Sequence, residues 1–140
     1  MTENANLDDI TAAIRAAWSL ETCDPVDRHE WSPDNPARGQ CGVTALVVSD
    51  LLGGQLVEAR VFLDGEPVEY HYWNELPDGS RVDLTREQFH RGETFVETTV
   101  LIPGPPGEQL AAAYALLAER VAATLGPMAS NAGRWLRENS

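Results

Sequence analysis

A cysteine stands at the head of an apolar run that ends in paired glycines, Gly39-Gln40-Cys41-Gly42-Val43-Thr44-Ala45-Leu46-Val47-Val48-Ser49-Asp50-Leu51-Leu52-Gly53-Gly54. Val43, Leu46, Val47 and Leu51 recur at the i, i+3, i+4, i+8 spacing of a helix that buries one face, and Gly53 takes the left-handed conformation that ends helices. The rest of the chain must therefore supply a surface for that helix. Cys41 falls in its first turn, where unpaired N–H groups and aligned peptide dipoles favour a negative charge, and a thiol there is readied as a nucleophile. A cysteine that only fills space also occupies buried positions of this kind, so its partners decide between the two readings.

The surrounding chain reads as alternating element types. Residues 7–20 carry Leu7, Ile10, Ala13, Ile14, Ala17 and Trp18 at helical spacing, with Asp8 and Asp9 at the positive end. Pro25, Pro33 and Pro36 then break the periodicity, and residues 21–40 form a long loop that leads into Cys41. Trp31 in that loop serves either to pin it to the core or to wall a substrate groove. Residues 55–63 alternate as a strand through Val57, Ala59, Val61 and Leu63, and Asp64-Gly65 signals a turn into a second strand over 68–76. In Leu76-Pro77-Asp78-Gly79-Ser80, proline, aspartate and glycine at successive positions suit a type I turn closed by a glycine bulge. A third strand starts near Arg81, and Thr85-Arg86-Glu87-Gln88 has the form of a capping box opening a helical turn over 85–89. A further strand over 93–102, a break at 103–107, a helix over 108–125 and a tail bearing Trp135 and Leu136 complete the chain. The stripe of the last helix is Leu110, Ala113, Tyr114, Leu117 and Val121.

The turn at 76–80 has a chemical consequence. If Leu76 pairs with Ser80, Trp73 lies opposite Asp83, and His71 lies diagonally from Asp83 on the same sheet face. Cys41, His71 and Asp83 then supply a nucleophile, a base and a group to orient the base. The Cys41 backbone with the Gln40 side chain is a candidate oxyanion hole, and Trp31, Trp73 and Asn74 are candidate substrate-binding residues. Each member of the triad also has a structural role open to it: a buried thiol, a hydrogen-bonded histidine in the core, an aspartate in a local turn. His29 and His90 read as surface or loop residues, and Cys23 as an ordinary free thiol.

Composition narrows the partners. With 22 acidic residues against 10 basic ones, all arginine, and a net charge of -12, the chain lacks the cationic surface that binds nucleic acid. No stretch approaches the ~20 apolar residues of a membrane span, and the first residues lack the basic and apolar regions of a secretory signal, so a cytoplasmic location is expected. At 140 residues, 43% of them hydrophobic, one domain with its own core is expected. Two widely spaced cysteines match neither a disulfide framework nor a zinc motif, and no cofactor or metal is expected. A metal site built from Cys41, His71 and Asp83 is the weakest alternative, because its ligands lack close spacing.

The Gly39–Val48 and Asp50–Gly54 segments, His71-Tyr72-Trp73-Asn74, Leu76-Pro77-Asp78-Gly79 and Asp83-Leu84-Thr85-x-x-Gln88-Phe89 together resemble the YunG-like family of small bacterial proteins. Their order is also similar to that of papain-like and transglutaminase-like cysteine enzymes. The resemblance implies an α+β, papain-like fold with a Cys41-bearing helix packed on an antiparallel sheet that carries His71 and Asp83. It implies acyl transfer on a small-molecule or peptide amide or thioester, with the hydrolase or transferase outcome and the oligomeric state left open. The alternative is a noncatalytic ligand- or protein-binding module on the same scaffold.

Overall fold

The computed structural model describes residues 6–101 and 106–126; the tail with Trp135 and Leu136, the end of the 93–102 strand and most of the break at 103–107 lie outside them. Helix α1, Leu7–Ala17, starts at Asn6, whose side chain accepts from the Asp9 N–H, and buries Ile10, Ala13, Ile14 and Ala17. It stops three residues short of the sequence expectation. Trp18 turns extended there and donates its indole N–H to Thr44 Oγ1 at 3.0 Å, while Ser19 and Thr22 cap a separate 3-10 turn. The 21–40 segment holds that turn, a second one over Pro25–Glu30, and a bridge between Ser32 and Asn35.

Helix α2, Cys41–Leu52, buries Val43, Thr44, Ala45, Val47 and Val48 and ends at Gly53. The next residue, Gly54, has φ +89°, and a Cβ there would stand 2.3 Å from Glu75 O, so only glycine passes between the helix and the sheet. Strands β1, Gln55–Leu63, and β2, Glu66–Glu75, form a hairpin across Asp64-Gly65, both at positive φ. Strand β3, Arg81–Val82, and strand β4, Thr94–Leu101, complete an antiparallel sheet of order β3-β2-β1-β4. Helix α3, Glu108–Leu125, packs against α1 and α2.

The sheet divides the interior by parity. On one face, Leu56 stands opposite Asn74 and Asn74 opposite Val82; Asn74 Nδ2 donates to Ala45 O of α2 at 2.9 Å. This side holds the larger core, built from α1, α2 and α3 together with Val82. On the other face, Val57 pairs with Trp73 and Ala59 with His71, and these join Phe95 in a second, smaller core. The second core is closed by residues 81–95: Arg81 lies 4.2 Å over Trp73, Arg86 lies 4.0 Å over Phe95, and Phe89 meets His71 edge-on at 4.7 Å. No helix among the described residues is long and apolar enough to cross a membrane.

Candidate functional site

The turn after β2 forms as its sequence requires. Leu76 N–H donates to Ser80 O at 2.8 Å, Gly79 N–H donates to Leu76 O at 2.9 Å, and Gly79 has φ +87°. Asn74 pairs with Val82 and Glu75 with Arg81, which carries Asp83 onto the His71 face. His71 Nε2 lies 2.8 Å from Asp83 Oδ2. The histidine side chain is fully buried and the aspartate 10% exposed, with Arg81 and Arg86 each 3.8 Å from the same carboxylate oxygen. A carboxylate only accepts, so Nε2 carries a proton, and in the neutral imidazole Nδ1 is the acceptor. That Nδ1 is buried and has no hydrogen-bond partner.

Cys41 is brought to its place by the loop before it. Gly39, at φ +73°, donates its N–H to Gln88 Oε1 at 3.1 Å and accepts from Asp24 N–H at 2.9 Å. The thiol opens on a cavity of about 780 Å³ lined by parts of the 24–42 segment, the β1–β2 hairpin including Glu69, Tyr70 and Tyr72, parts of the 88–93 segment and Leu110. Its acidic wall is partly neutralised by Arg38, which is 11% exposed and reaches Asp27 and Glu30 at 2.9 Å and Glu69 at 3.0 Å. Burial disfavours the guanidinium charge, yet Glu69 and Asp27 outweigh it and hold Arg38 above its usual range. Burial also pushes the Cys41 thiol up to about 12, with Glu69 and Asp27 adding to it and the Tyr72 backbone and Gln88 side chain opposing it. A helix N-terminus contributes at most about 2 kcal/mol. Here burial wins, and the resting group is a neutral thiol rather than the thiolate expected from its position.

The structure joins His71 to Asp83 but makes no hydrogen bond between His71 and Cys41; Nδ1 is open. Strand alternation points His71 away from the face on which Asn74 meets α2, and His71 is not part of the cavity lining. The link between them runs through the chain itself, because the Tyr72 backbone that meets the Cys41 sulfur is the next residue to His71.

The other residues read as substrate contacts are engaged elsewhere. Gln40 is fully buried, accepting from Thr22 Oγ1 at 2.8 Å and donating to Ser19 O at 3.0 Å, so both ends of its amide are engaged with the segment after α1. Trp31 donates its indole N–H to Pro36 O at 3.1 Å and pins its own loop, Trp73 packs in the second core, and Asn74 ties β2 to α2. None of the four lines the cavity, whereas His29 and His90, exposed as expected of surface or loop residues, stand at its wall. Cys23 is a free thiol, as expected, and it is fully buried, its Sγ donating to Arg38 O at 3.2 Å. The capping box at 85–88 does not form, since Thr85 makes no side-chain cap bond and Gln88 reaches Gly39 instead. Among the described residues, no group of three or more His, Cys, Asp and Glu side chains is placed to hold a metal ion.

Helices packed on one antiparallel sheet, with a helix-borne cysteine at a cavity beside a buried imidazole–carboxylate pair, define a small α+β protein. The chain belongs to the YunG family, whose sequence profile, described as YunG protein, matches residues 6–126. Uncharacterized protein YunG of Bacillus subtilis (strain 168) is 31% identical over 103 residues, covering 66% of this chain and 80% of that relative. No solved structure matches the chain.

Proposed function

We propose that this protein is a cysteine-dependent acyl-transfer enzyme on a papain-like scaffold, acting on an amide or thioester through an acyl thioester on Cys41. The observation that carries the reading is the buried, unpartnered Nδ1 of an imidazole whose Nε2 is already held by Asp83. A buried acceptor without a partner is costly, and here it is one that can take a proton. The resting thiol and imidazole are not hydrogen-bonded, and His71 stands outside the cavity lining, so the reading requires the His71–Tyr72 segment to bring Nδ1 to the Cys41 sulfur when substrate binds.

In the proposed reaction the Cys41 S–H proton passes to His71 Nδ1 as the sulfur attacks the substrate carbonyl carbon. A C–S bond forms and the carbonyl π electrons move to oxygen. Collapse restores the carbonyl and breaks the bond to the leaving amine or thiol, which takes the proton from His71. Water or an amine then gives a proton to His71, attacks the acyl carbon and releases the Cys41 sulfur, which recovers that proton. Asp83 holds the imidazole in the required tautomer and stabilises its charged form.

The test is intact-mass analysis after incubation with small acyl thioesters and acyl anilides. An acyl adduct on Cys41 is expected, absent in Cys41→Ala and formed roughly 10²–10⁴-fold more slowly in His71→Ala. Absence of any adduct, or an equal rate in His71→Ala, would overturn the reading. A second reading, a noncatalytic ligand-binding module, is favoured by the raised Cys41 thiol. It predicts that ligands of the cavity raise the melting temperature of wild type and Cys41→Ala alike, with no adduct in either.

A further inference from the structure

Beside Cys41, strand β2 has an edge with no neighbouring strand among the described residues. It pairs with β1 along its whole length, whereas β3 meets it only at Asn74 and Glu75. Leu76 N–H turns away from β1 to reach Ser80 O, and the Tyr72 backbone turns the same way to the Cys41 sulfur, whose ionised form it favours as an N–H donor does. Backbone groups alternate in direction along a strand, so Tyr70 aims both its N–H and its C=O at that same side. Among the described residues neither group makes a backbone hydrogen bond there, and both Tyr70 and Tyr72 line the cavity. An unpaired strand edge is a template for another extended chain. The register with β1 skips Val68, so a bulge ends the free stretch at the hairpin tip.

The same cavity is short of positive charge. Asp27, Glu30 and Glu69 share one guanidinium through a single nitrogen, Arg38 Nη2. Its two hydrogens go to Asp27 and Glu69 at 2.9 and 3.0 Å. Glu30, 2.9 Å away, receives none from it, and its other oxygen lies 3.9 Å from His29 Nε2. Asp24 and Glu93 add two more carboxylates to the wall, against Arg91. Burial holds Glu69 above the usual carboxylate range; Arg38 opposes this, and Asp27 and Glu30 add to it, a repulsion that a second cation would relieve.

We propose that the cavity docks an extended peptide segment bearing lysine or arginine, its backbone added to the edge of β2 at Tyr70 and its cationic side chain set against Glu30 and Glu69. The free backbone groups select a peptide over a small amine, and the acidic wall selects its charge. This names the substrate class of the acyl-transfer reading and rests on that reading for turnover, but not for binding.

The test uses full-length Cys41→Ala, which cannot be acylated, and fluorescence anisotropy of short labelled peptides of threonine and valine with one central lysine, glutamine or glutamate. The lysine peptide is expected to bind roughly 10-fold more tightly than the glutamine peptide, and the glutamate peptide more weakly than either. Backbone N-methylation of the lysine peptide, placed at each residue in turn, is expected to weaken binding roughly 10-fold at alternate positions and little between them, the signature of a paired strand. Adding Glu30→Gln, at a 38% exposed side chain, is expected to weaken the lysine peptide roughly 3–10-fold and leave the glutamine peptide and the melting temperature unchanged. Equal binding of the lysine and glutamine peptides, or no peptide binding, overturns the proposal. So does an N-methyl scan without alternation, or Nα-acetyl-lysine amide binding as tightly as the lysine peptide, which would make the ligand a small amine. Because binding alone is read, each of these results is separate from whether Cys41 of the wild type forms an acyl adduct.

Discussion

Gly39→Ala is expected to destabilise the fold through a contact that a second substitution can remove. The added Cβ would stand 2.4 Å from Cys23 Sγ, 2.9 Å from Asp27 Cβ and 3.4 Å from the Asp24 nitrogen, at φ +73°. The left-handed backbone costs an alanine about 1–2 kcal/mol, and overpacking a filled interior about 1–3 kcal/mol. Loss of the glycine's freedom in the unfolded chain offsets about 0.4–1 kcal/mol. The net expectation is about 2–4 kcal/mol, a large part of the about 5–15 kcal/mol that holds a domain folded. Cys23→Ala alone removes a buried sulfur at about 1–2 kcal/mol. In the double variant the sulfur clash is gone, so the combined cost falls below the sum of the two by about 1–2 kcal/mol. Urea denaturation of all four proteins measures this directly. Costs that add within about 0.5 kcal/mol would show that Cys23 does not confine Gly39, and the packing argument for the entry to Cys41 would be wrong.

Asp83→Ala is expected to cost about 1–3 kcal/mol in urea denaturation, because it leaves His71 Nε2 buried without its 2.8 Å partner. Asp50, which accepts from the Tyr114 hydroxyl, is raised by burial to about 6. Its native form therefore holds a proton more tightly than the unfolded chain does, and its contribution to stability is fully present below the unfolded carboxylate pKa. That contribution falls as pH rises through about 6, by about 1 kcal/mol once solvent screening is allowed for. Asp50→Asn removes this slope in melting temperatures taken from pH 4 to 7; an unchanged slope would refute the assignment. Cys23 and Cys41 are both raised to about 12, chiefly by burial. In the ligand-free protein at pH 8 both are expected to react with 5,5′-dithiobis(2-nitrobenzoate) at least about 100-fold more slowly than after unfolding in guanidinium, and a native thiol titrating near ~8.5 would contradict this.

The features legible in the sequence were those set by local chemistry. The bounds of α2, β1 and α3 follow from periodicity closed by glycine at Gly53 and Gly126 or by the Asp64-Gly65 turn. The type I turn with its bulge sets the register that brings Asp83 to His71 across twelve residues, so this pairing needed no knowledge of the rest of the fold. The site of Cys41 was less legible, because its surroundings come from distant segments. A helix start implies a favoured thiolate, but the enclosure by the 24–42 loop, β2 and Gln88 reverses that tendency. The carboxylates of Asp27, Glu30 and Glu69 show no pattern in sequence that would assign them to Arg38.

The two glutamines make the point most directly. Gln40 adjoins the cysteine in sequence and was the natural donor to assign, yet a residue just before a helix points where its own loop needs it, here back to Ser19 and Thr22. Gln88 sits in a motif that local rules assign to a cap, Thr85-x-x-Gln88, and that assignment would use up its side chain. The cap fails because Thr85 adopts φ -111° and ψ 11° rather than the extended backbone of a capping residue. Its glutamine is thereby released to bond Gly39, forty-nine positions away, and to stand in the cavity wall with Cys41. A capping residue out of its required conformation frees the side chain three positions on, and long-range packing decides what that side chain then does.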